Sequence, residues 1–174
     1  SSGSGGAENV TVTNTYVNKG TWLWRKESEQ ASGNVSGIVR RSTYTYDIKG
    51  NLETKTYVNY SGSNPVETYT YDSYGNVATY KDPKNNTTIY TYDAATKTNV
   101  TGINYPLSLS ISMAYDNNFG KISQHTDANG NYTFYEYDDF GRLEEVDYPD
   151  GGQTLYIYGD FDNPVYVKTR VLES

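Results

Sequence analysis

The sequence predicts an all-β protein in which repeated antiparallel β-hairpins form a continuous, curved or spiralling sheet. A tyrosine-rich strand motif recurs along the chain, and a turn sequence follows most copies of it. The third observation is the composition, because only 35% of the 174 residues are hydrophobic while 20 residues are tyrosine. Repeats that stack can share a core that none of them could close alone, and tyrosine is enriched in pleated sheets.

The repeated strand is a five-residue segment that ends in Tyr-Asp in most copies. Because side chains alternate across a strand, the two rings of each Tyr-x-Tyr lie on one face. We expect these rings to form a ladder of cross-strand pairs, each worth roughly 0.2–1 kcal/mol. The alternative is an exposed or groove-lining aromatic row that stacks on sugars or other partners. The copies are TYTYD (43–47), TYTYD (68–72), IYTYD (89–93), SMAYD (112–116), FYEYD (134–138) and LYIYG (155–159).

A turn sequence follows the strand motif. In DIKGNL, DSYGNV and DDFGRL, Asp stands first and Gly fourth, which are the preferences of a type I turn closed by a left-handed glycine. We expect the carboxylates to accept hydrogen bonds from turn amides and the glycines to take positive φ. A structural role in the repeat is therefore predicted for Tyr46, Asp47, Gly50, Tyr71, Asp72, Gly75, Tyr92, Asp93, Tyr115, Asp116, Gly120, Tyr137, Asp138 and Gly141.

A second, weaker set of turn sequences separates successive hairpins. These are DPKNNTT at 82–88, DANGNYT at 127–133 and PDGGQT at 149–154. The segments between the two kinds of turn have an ordinary strand length. DANGNYT imitates the first ligand positions of a calcium loop, but Tyr132 stands where that loop requires glycine, so a plain β-turn is expected.

One repeat departs from the pattern. Its segment DAATKTNV (93–100) lacks a turn glycine and leads into LSLSISMAYD (107–116). There Leu107, Leu109 and Ile111 alternate with serines, followed by Met113 and Tyr115, which predicts a strand from 107 with one apolar face. By equivalence, the motif tyrosines of the other repeats should also point to a protected face.

The chain is predicted to have three regions. Residues 1–8 are interpreted as a linker or an expression remnant, and residues 42–174 as the repeat array. Residues 9–41 are interpreted as an N-terminal hairpin or capping region that turns near Asn18, Lys19 and Gly20, with a further turn at ASGNVSG (31–37). Trp22 and Trp24 lie on one face of this hairpin and are the candidates for aromatic binding.

Several classes of function are disfavoured. A net charge of −7 opposes binding to nucleic acid or to anionic membranes, and no apolar run is long enough to span a membrane. Without cysteine and with a single histidine, no metal or cofactor site is predicted. His125 is expected to be a solvated residue at a strand end. Neither Asp138-Asp139 nor Glu144-Glu145 forms a catalytic pair, because adjacent strand residues point to opposite faces.

The repeated pattern resembles the YD-repeat, or Rhs-repeat, family. It is seen as YDIKGNL, YDSYGNV and YDDFGRL, linked by Pro- or Asp-containing turns, over about residues 40 to 163. The family includes bacterial polymorphic and insecticidal toxins and the teneurin adhesion proteins. The resemblance implies a β-sheet strip that spirals into a hollow shell, which in the toxins encloses a toxic domain. The family's core-ending segment is absent here, so no catalytic residue is carried over and no enzyme activity is predicted.

The leading hypothesis is a non-enzymatic structural module that serves as shell wall or scaffold of a secreted or surface protein. A toxin-encapsulating Rhs protein would be one such parent. The alternative is an adhesion module that binds glycans or a cell-surface partner through exposed aromatics, and a hydrolase is a distant third. The expected partners are neighbouring repeats or another copy, which would pair with open sheet edges, and also a toxin domain or a surface glycan.

Overall fold

The structure is a computed structural model that describes residues 10–19, 22–33, 39–58, 61–159 and 166–173. The chain divides into two compact units, residues 1–88 and residues 89–174. In the described ranges the regular elements are fourteen strands and one short 3-10 turn, and hydrogen-bonded strands follow one another in chain order. The predicted all-β class of repeated antiparallel hairpins is confirmed.

The first unit holds six strands, and each described pair within it is antiparallel. Their bounds are β1 Val10–Lys19, β2 Trp22–Gly33, β3 Val39–Tyr46, β4 Leu52–Val58, β5 Val66–Tyr71 and β6 Val77–Lys81.

The second unit holds most of β7 and all later strands, again in antiparallel pairs of chain neighbours. Their bounds are β7 Thr87–Tyr92, β8 Val100–Asn104, β9 Ser110–Tyr115, β10 Ile122–Thr126, β11 Tyr132–Tyr137, β12 Leu143–Asp147, β13 Gln153–Gly159 and β14 Tyr166–Leu172.

The repeat hairpins share a register irregularity next to the motif turn. In the β3–β4 hairpin, Thr45 pairs with Thr54, but Tyr46 pairs with Leu52. A type I turn followed by a left-handed residue leaves one extra residue in one strand, which is a β-bulge. The same shift separates Thr70 from Tyr71 in β5–β6 and recurs in β7–β8 and β11–β12. The turn sequence thus fixes the register of each hairpin.

Burial alternates along the motif strands but is shallow. In β9 and β11 the residues of the tyrosine face are half-buried and their neighbours are exposed. Val146, with 4% of its surface exposed, is the one buried hydrophobic side chain in the part of the chain that the structure describes. Cross-strand contacts rather than an enclosed core therefore hold these hairpins together.

The predicted strand from residue 107 is wrong at its start. Strand β9 begins at Ser110, because residues 106–108 form a 3-10 turn that Pro106 initiates. Leu107 takes a positive φ of 65° and is 92% exposed, and Leu109 is also exposed. The amide of Tyr105 donates to the carbonyl of Leu109 at 2.8 Å and closes this turn. The predicted alternation holds from Ile111 onward. Ile111, Met113 and Tyr115 are half-buried, and the residues between them are exposed.

The N-terminal hairpin pairs β1 with β2, and Lys19 faces Trp22 across it. The predicted turn at Gly20 and the side chain of Trp22 lie outside the described residues, as does most of the predicted ASGNVSG turn. Trp24 is exposed and has a positive φ of 58°. Its ring contacts that of Tyr16 edge-on, with centroids 6.4 Å apart. The region boundaries at residues 8 and 41 remain predictions.

Candidate functional site

The aspartate of the Tyr-Asp motif organises the turn that follows it. Asp47 Oδ1 accepts hydrogen bonds from the amides of Lys49 at 2.8 Å and Asn51 at 2.9 Å. Its second oxygen accepts from the side-chain amide of Asn51 at 3.0 Å. The Gly50 amide donates to the Asp47 carbonyl, and Gly50 takes a φ of 84°. The carboxylate is therefore a structural acceptor inside the turn, and a ligand would have to compete with these bonds.

The same turn recurs with one informative substitution. Asp72 repeats these contacts with Tyr74 and Asn76. At Asp138 the fifth residue is Arg142, whose Nε donates to Oδ2 at 2.7 Å while its terminal nitrogen forms an ion pair with the same oxygen. The Asn or Arg after the glycine is thus part of the motif, because its side chain bonds the turn aspartate. Sequence reasoning recorded this residue in the family pattern but gave it no role.

The second set of turns uses the same hydrogen bonds. Asp82 accepts from Lys84 and Asn86, and Asp127 accepts from Asn129 and Asn131, with distances of 2.8 to 2.9 Å. Both oxygens of Asp127 are engaged within the turn, so the calcium-like sequence DANGN forms a plain β-turn. In the Asp82 turn, Asn85 takes the left-handed position that Gly130 takes in the Asp127 turn, with a φ of 68°.

These hydrogen bonds lower the pKa of the turn carboxyls. At Asp127 the side-chain bond from Asn131 is the largest cause, followed by its backbone amide, and together they outweigh partial desolvation. At Asp72 desolvation is the largest influence and raises the pKa, but the bonds from Asn76 and Tyr74 outweigh it. The pKa of Asp93 is lowered most strongly, chiefly by the amide of Thr96. The turns therefore favour the ionised carboxylate.

The motif tyrosines act through their hydroxyl groups. In five hairpin strands, the tyrosine at the fourth position of the motif donates a hydrogen bond of 2.8 Å to a backbone carbonyl of the preceding strand. The donors and acceptors are Tyr46 and Lys26, Tyr71 and Leu52, Tyr115 and Val100, Tyr137 and Ile122, and Tyr158 and Leu143. We call this contact the tyrosine latch, because it ties these five motif strands to the strands before them.

Basic side chains cover several of these rings. The guanidinium of Arg142 lies 4.0 Å from the ring centroid of Tyr158, and the ammonium of Lys121 lies 5.2 Å from that of Tyr137. Such contacts contribute about 0.5–1 kcal/mol at exposed sites. Lys121 also donates to the carbonyl of Gly141. These rings are therefore engaged in internal contacts with side chains of the preceding hairpin.

The opposite face of the motif strands carries threonine. Thr45 and Thr54 form a cross-strand hydroxyl pair at 2.7 Å, and Thr70 and Thr79 form another at 2.6 Å. In β7–β8 the corresponding partner of Thr91 is Gly102, so the hydroxyl pair is replaced by a contact to the Gly102 carbonyl. This face thus stabilises the hairpins by short polar contacts at exposed positions.

One group of aromatic residues does not belong to the motif. Tyr132 and Phe134 stand on the exposed side of β11, with ring centroids 6.2 Å apart and planes inclined by 20°. They line an open groove of about 450 Å³, which we call the aromatic groove. Its other lining residues include Asn131, Asp147, Tyr148 and Pro149. Sequence reasoning missed this site, because it considered only the motif tyrosines and the two tryptophans.

The remaining titratable candidates lie in ordinary positions. His125 is the second-last residue of β10, next to the Asp127 turn as expected; it is half-buried and pairs with Met113 and Thr133. Burial is the main cause of the raised pKa of Glu145, with the carboxylates of Asp147 and Glu136 next. Across the described ranges, no three His, Asp or Glu side chains are grouped as a metal site would require. No helix in those ranges is long and apolar enough to cross a membrane.

Comparisons with known proteins agree with this geometry. Residues 115–153 match the RHS Repeat family. Human and mouse Teneurin-4 are each 41% identical to this chain over 58 residues, which is 33% of this chain and 2% of theirs. The chain thus spans a small fraction of the length of these relatives.

Solved structures share the fold. The crystal structure of TcdB2-TccC3-Cdc42 and the Photorhabdus luminescens Tc holotoxin pore each match with a TM-score of 0.54 at 16% identity. Each match covers 93% of this chain and 10% of the other chain. At this identity the likeness concerns the fold alone. The repeated Tyr-Asp turns, the family match over residues 115–153 and the teneurin similarity lead to one conclusion: this chain is similar to proteins of the YD-repeat, or Rhs-repeat, family.

Proposed function

We propose that this chain is a structural segment of a larger YD-repeat protein, where it serves as part of a shell wall or scaffold and performs no catalysis. One observation carries the proposal: the polar groups of the repeat motif are bonded inside the hairpins. The turn carboxylates accept turn amides, and the motif hydroxyls donate to backbone carbonyls. A side chain engaged in this way builds the sheet and is not available to a substrate.

The proposed partners are further repeats or a second copy. β14 pairs with β13 along its whole length, and its side chains Val167 and Val171 are exposed. Lys168 and Arg170 alternate with these valines, so one face of β14 is basic and the other is apolar. An edge strand with exposed apolar side chains is a template for pairing with another strand. In a longer protein the next repeat would take this place, whereas in the isolated segment a second copy would take it.

The edge contact is tested by the double change Val167→Lys and Val171→Lys. Lysine on an edge strand opposes pairing, so light scattering on a size-exclusion column should show association of the unchanged segment at high concentration and a monomer for the variant. The matched control is Ile89→Lys with Val66→Lys, which adds the same charge at exposed positions on strands that do not pair with β14. If the segment with its natural sequence stays monomeric at high concentration, the proposed edge contact is contradicted.

Encapsulation of a toxin by a secreted or surface parent is the finer form of this proposal. Its support is the fold shared with the TcdB2-TccC3 and Tc holotoxin structures. Limited proteolysis of the longest natural polypeptide that contains this segment tests it. Sequence outside the repeats should resist protease while the repeats are folded and become sensitive in the Tyr71→Ala variant. Equal digestion in both proteins would leave a scaffold role without encapsulation.

A further inference from the structure

The β5–β6 hairpin places two tyrosines directly opposite each other. Tyr69 pairs with Tyr80, and their ring centroids lie 5.2 Å apart with the ring planes inclined by 40°. Both side chains are half-buried. In the other motif hairpins the residue opposite this position of the motif is not a tyrosine, the partners being Lys55, Ile103, His125, Val146 and Thr169. The hairpin fold therefore does not require a tyrosine at position 80.

A carboxylate is bonded to one member of this pair. Glu67 stands where the motif copies at 43–47 and 134–138 are preceded by Ser42 and Thr133. Its Oε2 accepts a hydrogen bond from the hydroxyl of Tyr69 at 3.0 Å, and its Oε1 accepts one from the hydroxyl of Tyr57 at 2.9 Å. We call Tyr57, Glu67, Tyr69 and Tyr80 the tyrosine cluster. Its members lie in the first unit, on the face of the sheet that carries the motif tyrosines.

The tyrosine cluster keeps the Tyr69 phenol protonated. Burial is the largest cause that raises the pKa of Tyr69, and the hydrogen bond to Glu67 and the charge of that carboxylate raise it further. Ordinary ionisation therefore does not activate this ring. Removal of one electron has the opposite effect, because an oxidised phenol is a strong acid and releases its proton to the base that it contacts. The Glu67 carboxylate is in hydrogen-bond reach to accept that proton.

We propose that Tyr69 and Tyr80 form an oxidative crosslinking site, at which hydrogen peroxide acting through a haem peroxidase joins the two rings as dityrosine. Each phenol gives one electron to the oxidised haem and loses its hydroxyl proton, which passes from Tyr69 to Glu67. The two radicals combine through a new carbon–carbon bond between ring carbons next to the oxygens. The hydrogen on each bonded carbon then moves to the oxygen and restores the phenol. In sum, two tyrosines and one peroxide give dityrosine and two water molecules.

The geometry favours coupling within one molecule. The rings of Tyr69 and Tyr80 are already in contact, so a small approach is enough to bond them, and directly bonded aromatic rings are likewise inclined to each other. Half-burial limits the access of tyrosines from a second copy. Because the chain has no cysteine, this link would supply the covalent cross-strand bond that a disulfide supplies in other proteins. The inference does not depend on the shell role proposed above.

The site is tested with the full chain at low concentration, treated with hydrogen peroxide and a haem peroxidase. Dityrosine fluorescence should appear in the monomer fraction, and the mass of the monomer should fall by that of two hydrogen atoms. Proteolytic cleavage on the amino side of Asp72 separates Tyr69 from Tyr80, so a link between them holds two peptides together in mass spectrometry. Most of the dityrosine in the monomer should map to this pair. Dityrosine spread evenly over other tyrosines, or found only between molecules, overturns the proposal.

Substitutions at position 80 test the assignment. Tyr80→Val introduces the residue that β12 carries opposite Tyr135, so the hairpin is preserved, and Tyr80→Phe keeps the ring without the phenol. Both should remove the link within the monomer. The matched control is Tyr90→Phe, which changes the motif tyrosine at the same position of β7, where the partner is Ile103. This control should leave the yield of the link unchanged, and equal loss in the control overturns the assignment.

Glu67→Gln tests the proton acceptor separately from folding. Glutamine keeps an acceptor oxygen for both hydroxyls but is a far weaker base, so the link should form at least about tenfold more slowly while the Tm of the untreated protein is nearly unchanged. An unchanged rate contradicts the step assigned to Glu67. In the natural sequence, the crosslinked protein should melt roughly 5 °C higher than the untreated one, because the link restricts the unfolded chain. An unchanged Tm would overturn the role of the link as a cross-strand bond.

Discussion

Two turns of the second unit differ in chemistry but not in backbone. The turn at 127–131 and the turn at 148–152 each close with the first residue's amide bonded to the fifth residue's carbonyl at 2.9 Å. Asp127 adds three hydrogen bonds to its turn through its carboxylate, whereas Tyr148 has no carboxylate, and Asp150 supplies one bond to Gly152 instead. The backbone of the hairpin is therefore robust, and the first residue of the turn is free to serve either stability or surface chemistry.

The shared backbone predicts the largest effect. Gly130 and Gly151 have φ values of 85° and 87°, so alanine at either position should cost about 1–2 kcal/mol of unfolding free energy. Nothing lies within 4 Å of a Cβ at Gly130, so this cost arises from the backbone alone. Chemical denaturation of both variants measures it. Asparagine, which the 82–86 turn carries at this position, should cost less. Unequal costs for the two alanines would show that the turns differ in backbone after all.

The two turns differ in their first residue, Asp127 or Tyr148. Exchanging the chemistry at this position should change the Tm by a smaller amount, with opposite signs in the two turns. Asp127→Ala removes three hydrogen bonds and should lower the Tm by roughly 2–4 °C, whereas Tyr148→Asp should raise it because an aspartate there can accept the same turn amides. Differential scanning calorimetry gives both values. Asp139→Ala is the control, since this exposed neighbour of a turn aspartate has no resolved contact of this kind. A Tyr148→Asp variant that is less stable than the natural protein would assign Tyr148 a packing role.

The same contrast predicts a pH dependence. The pKa of Asp127 is lower in the folded state than in the unfolded chain, so its contribution is present above the unfolded pKa and is lost as the pH falls through the folded pKa. Asp47, Asp72, Asp82, Asp93 and Asp138 share this sign. Stability should therefore fall on acidification below about pH 4.

Glu145 has the opposite sign: burial first, and then the carboxylates of Asp147 and Glu136, raise its pKa, so protonation at low pH removes an unfavourable charge from the folded state. Thermal unfolding at a series of pH values from about 2 to 6 separates the two contributions. Asp127→Asn should flatten the decline, and Tyr148→Asp should steepen it. A profile that is the same in all three proteins would contradict the role given to the turn carboxylates.

The smallest expected effect tests whether the same logic extends to the threonine face. Gly102→Thr restores the hydroxyl pair that the other hairpins form, and replacing a strand glycine should contribute about 0.5 kcal/mol. A Cβ at this position would lie 2.6 Å from Thr91 Oγ1, so the Thr91 side chain must rotate to admit it. Denaturation against Thr79→Gly as the reverse change measures the gain. A loss of stability would show that Thr91 cannot rotate.

Much of the hairpin could be predicted from the sequence. The Tyr-x-Tyr period placed both rings on one face, and the spacing of Asp and Gly located the turns, because both depend on local backbone geometry. The recurring Asn or Arg after the glycine was a usable signal for the side-chain bond to Asp47 or Asp138. At Leu107 the alternating pattern failed, because Pro106 begins a turn that overrides the strand preference of the following residues.

The aromatic groove was missed although the sequence held a signal for it. Aligning YPDGG with DPKNN shows Tyr148 in the place of a turn aspartate, and aligning FYEYD with TYTYD shows Phe134 in the place of threonine. Each departure alone is unremarkable in a chain with 20 tyrosines. They gain meaning only when the pairing of Phe134 with Asp147 places them at one site.

The sequence by itself determined the repeat, its turns and the alternation of its two faces, since these follow from contacts between residues close in the chain. Only the tertiary structure decided which carbonyl each motif hydroxyl meets and which aromatic side chains share a groove. The Tyr71 hydroxyl reaches Leu52, nineteen residues earlier, and Tyr137 reaches Ile122, fifteen residues earlier. Such contacts depend on the register between strands, which the bulge at each turn sets and which no single segment encodes.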